Sequence, residues 1–179
     1  MFFLKKSGSP QQTALAMIGA RSGQSIVVLG ADGPLAGAIG LVTGLNGRTV
    51  VVDRVEDAAA RVRTAADAAG ALVEFVDAPA SSVPLDAGMF DVVVVRAGLA
   101  SRQSSDRSAI FAEAFRLTRD GGRIVVIEGE APVSVLGVRR GGVAGLEAGV
   151  VTTLLTAAGG RAVRQLAEVE GVSYFEARK

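Results

Sequence analysis

Short runs of β-branched and aliphatic residues alternate along this chain with longer Ala-rich stretches whose apolar positions recur at helical spacing. The run SIVVLG, from Ser25, passes through glycine, aspartate, glycine and proline into PLAGAIGLVTG. That segment predicts a helix with Pro34 in its first turn, where a missing N–H costs nothing, and GLNG ends it. RTVVVD, from Arg48, predicts the second strand, VEDAAARVRTAADAAG a helix stopped by Gly70, and ALVEFVD the third strand. APASSVPLDAGM carries two prolines and a glycine and reads as a loop feeding FDVVVVR, whose consecutive valines imply burial on both faces of a sheet. SSDRSAIFAEAFRLTRDGG predicts a helix running to the glycine pair, with GRIVVIEGE as the fifth strand.

The last third is less regular. APVSVLGVRRGGVAGLEAG is glycine-rich and reads as a surface loop or a mobile lid, in which Arg139 and Arg140 are placed to meet an acidic substrate. VVTTLLTAAGG predicts a final helix, and RAVRQLAEV with GVSYFEARK predicts two strands joined tightly at Glu170 and Gly171. The pattern is therefore α/β, a mostly parallel sheet finished by an antiparallel hairpin, and the expectation is one domain over residues 1–179, with 1–24 as an N-terminal extension.

Composition sharpens this picture. Hydrophobic residues make up 49% of the chain but aromatic residues only 4%, so the core must be built from aliphatic side chains, as in sheets buried on both faces. The formal charge of +1 provides no bulk basic field for nucleic acid. With neither cysteine nor histidine, the chain has no thiolate or imidazole metal ligand, no cysteine nucleophile and no Ser-His-Asp arrangement. Catalysis would have to use carboxylates, arginine, lysine, tyrosine, backbone dipoles or a cofactor. MFFLKK lacks the order of a signal peptide, which predicts a cytoplasmic protein, and it could make at most a weak membrane contact. Asp32, Pro34 and the glycines between Ser25 and Leu45 argue against a membrane span there.

This element order, with RTVVVD, VPLDAGMFDVVVV, AFRLTRDGGRIVVIE and LLTAAGGRAVRQLAEVEGVSYFEARK in sequence, resembles the class I S-adenosylmethionine-dependent methyltransferases, particularly the small-molecule quinone-biosynthesis group. The resemblance implies a Rossmann-like sandwich with strand order 3-2-1-4-5-7-6 and an antiparallel last strand. It also implies S-adenosylmethionine as cofactor and direct methyl transfer to a small molecule, in a site that a protein partner could complete. By the same resemblance, Gly30, Ala31, Asp32, Gly33, Asp53, Arg54, Ala80 and Arg96 fall in the cofactor neighbourhood. Asp53 matches the family carboxylate that accepts hydrogen bonds from the ribose hydroxyls.

The chain departs from the family pattern at three points. Val28 stands where the first strand usually carries an acidic residue, Asp32 and Pro34 replace two glycines of the Gly-x-Gly-x-Gly loop, and Pro79 replaces an acid near the adenine. Asp77 is the nearest substitute for that last acid. These departures keep open a non-catalytic methyltransferase-like binding or scaffold protein. A third reading, an NAD(P)-binding protein, takes Gly30, Gly33 and Ala36 as a Gly-x-x-Gly-x-x-Ala loop, but pairs Tyr174 with Arg178 where a reductase needs lysine. No base is evident for methyl transfer; Arg96, Asp106, Glu128 and Glu130 lie where one would be sought, at the carboxyl edge of the sheet.

Overall fold

The computed structural model describes residues 9–96, 98, 107–129 and 146–179, and the backbone of 133–135 and 138–140. The segment MFFLKK and the residues Asp106 and Glu130 lie outside the described residues, as do the side chains of Arg139 and Arg140. Helix α1 (Pro10–Ile18) starts in a capping box: the Ser9 side chain accepts from the Gln12 N–H, and the Gln12 side chain accepts in turn from the Ser9 N–H. There follow β1 (Ser25–Leu29), α2 (Gly33–Thr43), β2 (Arg48–Asp53), α3 (Ala58–Ala69), β3 (Glu74–Asp77) and β4 (Phe90–Arg96). The chain continues through α4 (Arg107–Leu117), β5 (Thr118–Glu128), a ribbon of β6 (Val133–Val135) and β7 (Val138–Arg140), α5 (Ala148–Ala157), β8 (Arg161–Val169) and β9 (Val172–Arg178).

Seven strands form one sheet in the order β3-β2-β1-β4-β5-β9-β8. The first five run parallel, and β9 is antiparallel to both its neighbours. Counting only these strands, the order is the predicted 3-2-1-4-5-7-6. The run Val92 to Val95 explains why the sequence shows no polar face here. Val93 and Val95 join Val27, Leu29, Phe111 and Leu155 under α4 and α5, whereas Val92 and Val94 join Ile18, Ile26, Leu35 and Val62 under α1, α2 and α3. A half-exposed strand would alternate; one covered twice need not.

Helix α2 lies against α3 through Gly33 and Gly37, and Gly40 on the same helical face meets Ala71, Leu72 and Val73 just beyond α3. A Cβ at Gly33 would sit 3.0 Å from the Ala65 methyl and 3.1 Å from the Arg61 carbonyl oxygen; at Gly37 the Ala65 oxygen and Ala69 methyl are each 3.1 Å away. The two backbones come together because these side chains are missing.

Three local differences from the sequence reading have physical causes. β3 is shorter than ALVEFVD because the Ala71 N–H bonds the Ala66 carbonyl and keeps the start of that segment in the C-terminal cap of α3. Thr118–Gly122 belongs to β5 and not to the preceding helix. Thr118 pairs with Phe90, the register shifts before Val92, and Gly121 and Gly122 exchange backbone bonds with Lys179. The segment read as loop contains the β6–β7 ribbon, in which Val133 and Val135 of β6 and Val138 of β7 supply strand-favouring residues. The terminal hairpin matches expectation: Glu170 (φ 51°) and Gly171 (φ 81°) are consecutive left-handed residues, the requirement of a two-residue turn between twisted strands.

The close α2–α3 approach predicts that Gly37→Val lowers unfolding stability by about 1–3 kcal/mol through overpacking. Gly149→Ala, at a helical glycine with open space around it, should instead leave stability unchanged or raise it by up to about 1 kcal/mol. Urea denaturation of the two variants measures both; equal behaviour would remove the packing role of Gly37.

Candidate functional site at the carboxyl edge of the sheet

The carboxyl ends of β1, β2, β4 and β5 come together where the parallel strand order reverses, between β1 and β4. Gly30 ends β1 with φ 97°, a conformation that suits glycine, and its N–H bonds the Val52 carbonyl of β2. The next N–H, from Ala31, reaches the Asp53 carboxylate at 2.6 Å, and the other oxygen of Asp53 accepts from the Val55 N–H at 2.8 Å. Asp53 is only 3% exposed, so its charge is held by these directed bonds. Asp77 is its register partner at the exposed end of β3, which puts two carboxylates side by side on one face.

Asp32 caps α2: one oxygen accepts from the Leu35 N–H at 3.2 Å, and the other lies 3.0 Å from Nε of Arg96 at the end of β4. The Arg96 contact is an ion pair and not an aligned hydrogen bond, since Nε is buried with no properly directed acceptor among the described residues. Arg96, Ile127 and Tyr174 are register partners across β4, β5 and β9, so their side chains share a face. Burial raises the Tyr174 phenol above its ordinary value; the nearby Arg96 charge opposes that shift and Asp32 adds to it.

Glu128 closes β5 on the other face of the sheet. Oε2 accepts from the Leu146 N–H at 3.1 Å, while buried Oε1 has no hydrogen-bond partner among the described residues. Burial raises its pKa, against the Leu146 N–H and the charges of Arg107 and Arg96.

The structure thus gathers Gly30, Ala31, Asp32, Gly33, Asp53 and Arg96 around one turn. It places Arg54 beside them, exposed, with no hydrogen bond among the described residues. Gly33 packs against α3, so its missing Cβ already has a structural use. Ala80 is fully buried in the core under α4, backbone included, so this structure does not open it to a ligand. Pro79 accepts the Ser82 N–H in the same loop. Tyr174, weighed from the sequence only for the reductase reading, and Arg107, which carries no local signal, also join the edge. The reductase pairing fails on geometry, because Tyr174 and Arg178 are four residues apart on an extended strand, about 13 Å.

A mostly parallel sheet of this order, with a left-handed glycine after β1 and a buried acid ending β2, defines a Rossmann-like class I methyltransferase fold. The Methyltransf_11 methyltransferase-domain family matches residues 31–126, and the chain belongs to that family. It is 28% identical over 126 residues to the ubiquinone/menaquinone biosynthesis C-methyltransferase UbiE of Marinomonas sp. (strain MWYL1), an alignment covering 68% of this chain and 49% of the relative. The chain therefore spans about half the length of the curated relatives it matches. Among solved structures, a SAM-dependent methyltransferase from Aquifex aeolicus superposes with a TM-score of 0.71 at 16% identity, covering 94% of this chain and 87% of the other. The 1,6-didemethyltoxoflavin-N1-methyltransferase of Burkholderia thailandensis, solved with S-adenosylhomocysteine, gives 0.63 at 21%, covering 94% and 76%. At these identities the structural matches establish the fold. No helix among the described residues is long and apolar enough to cross a membrane.

The raised Glu128 pKa predicts a pH dependence of stability. The folded state binds this proton more tightly than the unfolded state, whose carboxyl titrates near 4.5. Its contribution is therefore complete at lower pH and is lost as pH rises from that value through the folded pKa. Glu128→Gln should remove that part of the slope and be at least as stable as the parent at pH 7. Urea unfolding between pH 4 and pH 8 measures this, and an unchanged slope would refute it.

Proposed function

We propose that this chain is a cytoplasmic S-adenosylmethionine-dependent methyltransferase acting on a small molecule. The observation that carries the reading is the Asp32–Arg96 pair beside the buried Asp53 carboxylate. The amino-acid end of the cofactor bears an ammonium and a carboxylate; Asp32 and Arg96 present the complementary charges within one ion pair. Asp53 and Asp77 offer neighbouring acceptors for vicinal hydroxyls, and Gly30 and Ala31 form the backbone turn between the two sets. These residues fit the cofactor's polar groups even though Val28, Asp32, Pro34 and Pro79 depart from the family pattern.

When bound, the cofactor supplies an electrophilic methyl group on sulfur for direct displacement. The protein's part is to align the acceptor and manage its proton. Glu128 suits the proton-handling role because Leu146 fixes one oxygen, the other is buried with no hydrogen-bond partner among the described residues, and burial raises its basicity toward an oxygen, nitrogen or carbon acid. Arg96 and Arg107 supply nearby positive charge for an anionic acceptor. The quinone-biosynthesis relatives support C-methylation of a quinone precursor as the substrate class.

A second reading, a methyltransferase-like binding protein without turnover, is favoured by the way the turn satisfies itself. The Ala31, Leu35 and Val55 N–H groups all bond to side chains of this same edge. Calorimetric titration with S-adenosylmethionine and S-adenosylhomocysteine separates the readings. The enzyme reading expects both to bind, and Asp53→Ala to weaken each by about 1–3 kcal/mol, the cost of losing charged hydrogen bonds. Absence of binding at millimolar ligand would select the second reading for this chain, and unchanged affinity in a folded Asp53→Ala protein would reject the ribose role.

A further inference from the structure

The amino edge of the sheet holds a second concave site that the methyl-transfer reading does not use. A cavity of about 310 Å³ lies between the C-terminus of α1, the starts of β4 and β5 and the end of β9, at the low end of the size range for small-molecule pockets. Arg21, Arg119, Arg123 and Arg178 line it with Gln24, and Asp91 is its sole acidic lining residue among the described residues. A chain whose formal charge is only +1 has thus collected four guanidinium groups around one hollow.

Asp91 and Glu176 are already engaged. Asp91 accepts from the Ser25 N–H at 2.8 Å and from Arg119 at 2.7 Å. Buried Glu176, behind the cavity, is shared between Arg123 and Arg164. Arg123 also donates to the Ile18 carbonyl at the end of α1, so its guanidinium is fixed in place. Arg21 and Arg178 are exposed, and their guanidinium groups make no hydrogen bond or ion pair among the described residues. Gln24 uses its amide oxygen on the Arg21 N–H, which leaves its NH₂ as a further donor. Burial lowers the Arg123 pKa, the Glu176 charge opposes that shift, and the like charges of Arg178, Arg21 and Arg164 add to it.

We infer that this pocket binds a small phosphorylated metabolite through a di- or triphosphate group, with Arg21 and Arg178 as the free forks and Arg119, Arg123 and Gln24 as the fixed wall. Guanidinium groups match phosphate oxygens in bidentate geometry, and several around one hollow favour a multiply charged group over a single carboxylate. A nucleic acid strand fits the site less well, because among the described residues the lining has no aromatic ring on which a base could stack. The pocket is separate from the carboxyl-edge site: Asp91 and Arg96 stand at opposite ends of β4, about 17 Å apart along the strand. An anion bound here would join the end of α1 to β4, β5 and β9 and relieve the repulsion among the arginines.

Inorganic pyrophosphate is the probe. Calorimetric titration of the full chain at fixed ionic strength should show saturable binding, with affinity at least tenfold lower in Arg21→Gln/Arg178→Gln. Both side chains are exposed, so the variant should keep the parent's unfolding midpoint without ligand. Should it fail to fold, Arg178→Lys retains the charge but loses the fork and is expected to bind at least threefold more weakly. No saturable binding, a response matched by sodium chloride at equal ionic strength, or unchanged affinity in a folded variant would overturn the proposal. A short single-stranded oligonucleotide that binds through the same arginines more tightly than pyrophosphate would overturn it in favour of nucleic acid. None of these readouts requires turnover or S-adenosylmethionine.

Discussion

The carboxyl edge depends on one buried charge. A carboxylate taken out of water costs several kcal/mol unless directed donors replace its hydration, and at Asp53 those donors are the N–H groups of Ala31 and Val55. Meeting that requirement fixes two turns at once, the exit of β1 and the exit of β2. It sets the direction in which α2 begins and hence the place of Asp32 at its cap. From there Asp32 reaches Arg96 on β4, the next strand of the sheet.

The two ends of the sheet are opposite in electrostatic character. At the carboxyl edge Asp32, Asp53, Asp77 and Glu128 converge, tempered by Arg96 and Arg107; at the amino edge guanidinium groups predominate. Neither concentration is visible in a formal charge of +1, because the two nearly cancel in the sum. A parallel sheet creates this separation readily, since all its strand starts lie at one edge and all its strand ends at the other. The antiparallel β9 crosses between them, carrying Tyr174 to the acidic edge and Arg178 to the basic one.

What the sequence reveals follows the range of the interaction. The doubly covered β4 is legible in Val92 to Val95, and the terminal hairpin in Glu170 and Gly171, because burial and turn chemistry write themselves into consecutive residues. Gly33 is ambiguous for a physical reason: a glycine that lets a ligand approach and one that lets a helix approach leave the same letter, and only Ala65 and Arg61 across the contact distinguish them. The Asp32–Arg96 pair, the isolation of Glu128 and the arginine cavity depend on residues far apart in the chain, so no local pattern could announce them. Thr118–Gly122 is hidden as a strand because its partners are Phe90 and Lys179, while its glycine pair looks like an ordinary helix stop.

The departures at Asp32 and Pro34 have their own internal logic. Pro34 has no N–H to offer, and Asp32 supplies its own acceptor to the Leu35 N–H, so the start of α2 no longer presents the bare donors that a glycine loop would. What the turn loses in backbone donors it regains as a pair of opposite charges. That pair is partly buried, with side-chain exposures of 21% at Asp32 and 14% at Arg96, so opening it forfeits a charged contact that water screens only in part. A ligand carrying both an ammonium and a carboxylate can return two such contacts in exchange for one; a ligand with only one charge leaves the other partner bare. The same substitutions that weaken the family pattern therefore favour a zwitterionic ligand over a simple anion at this turn.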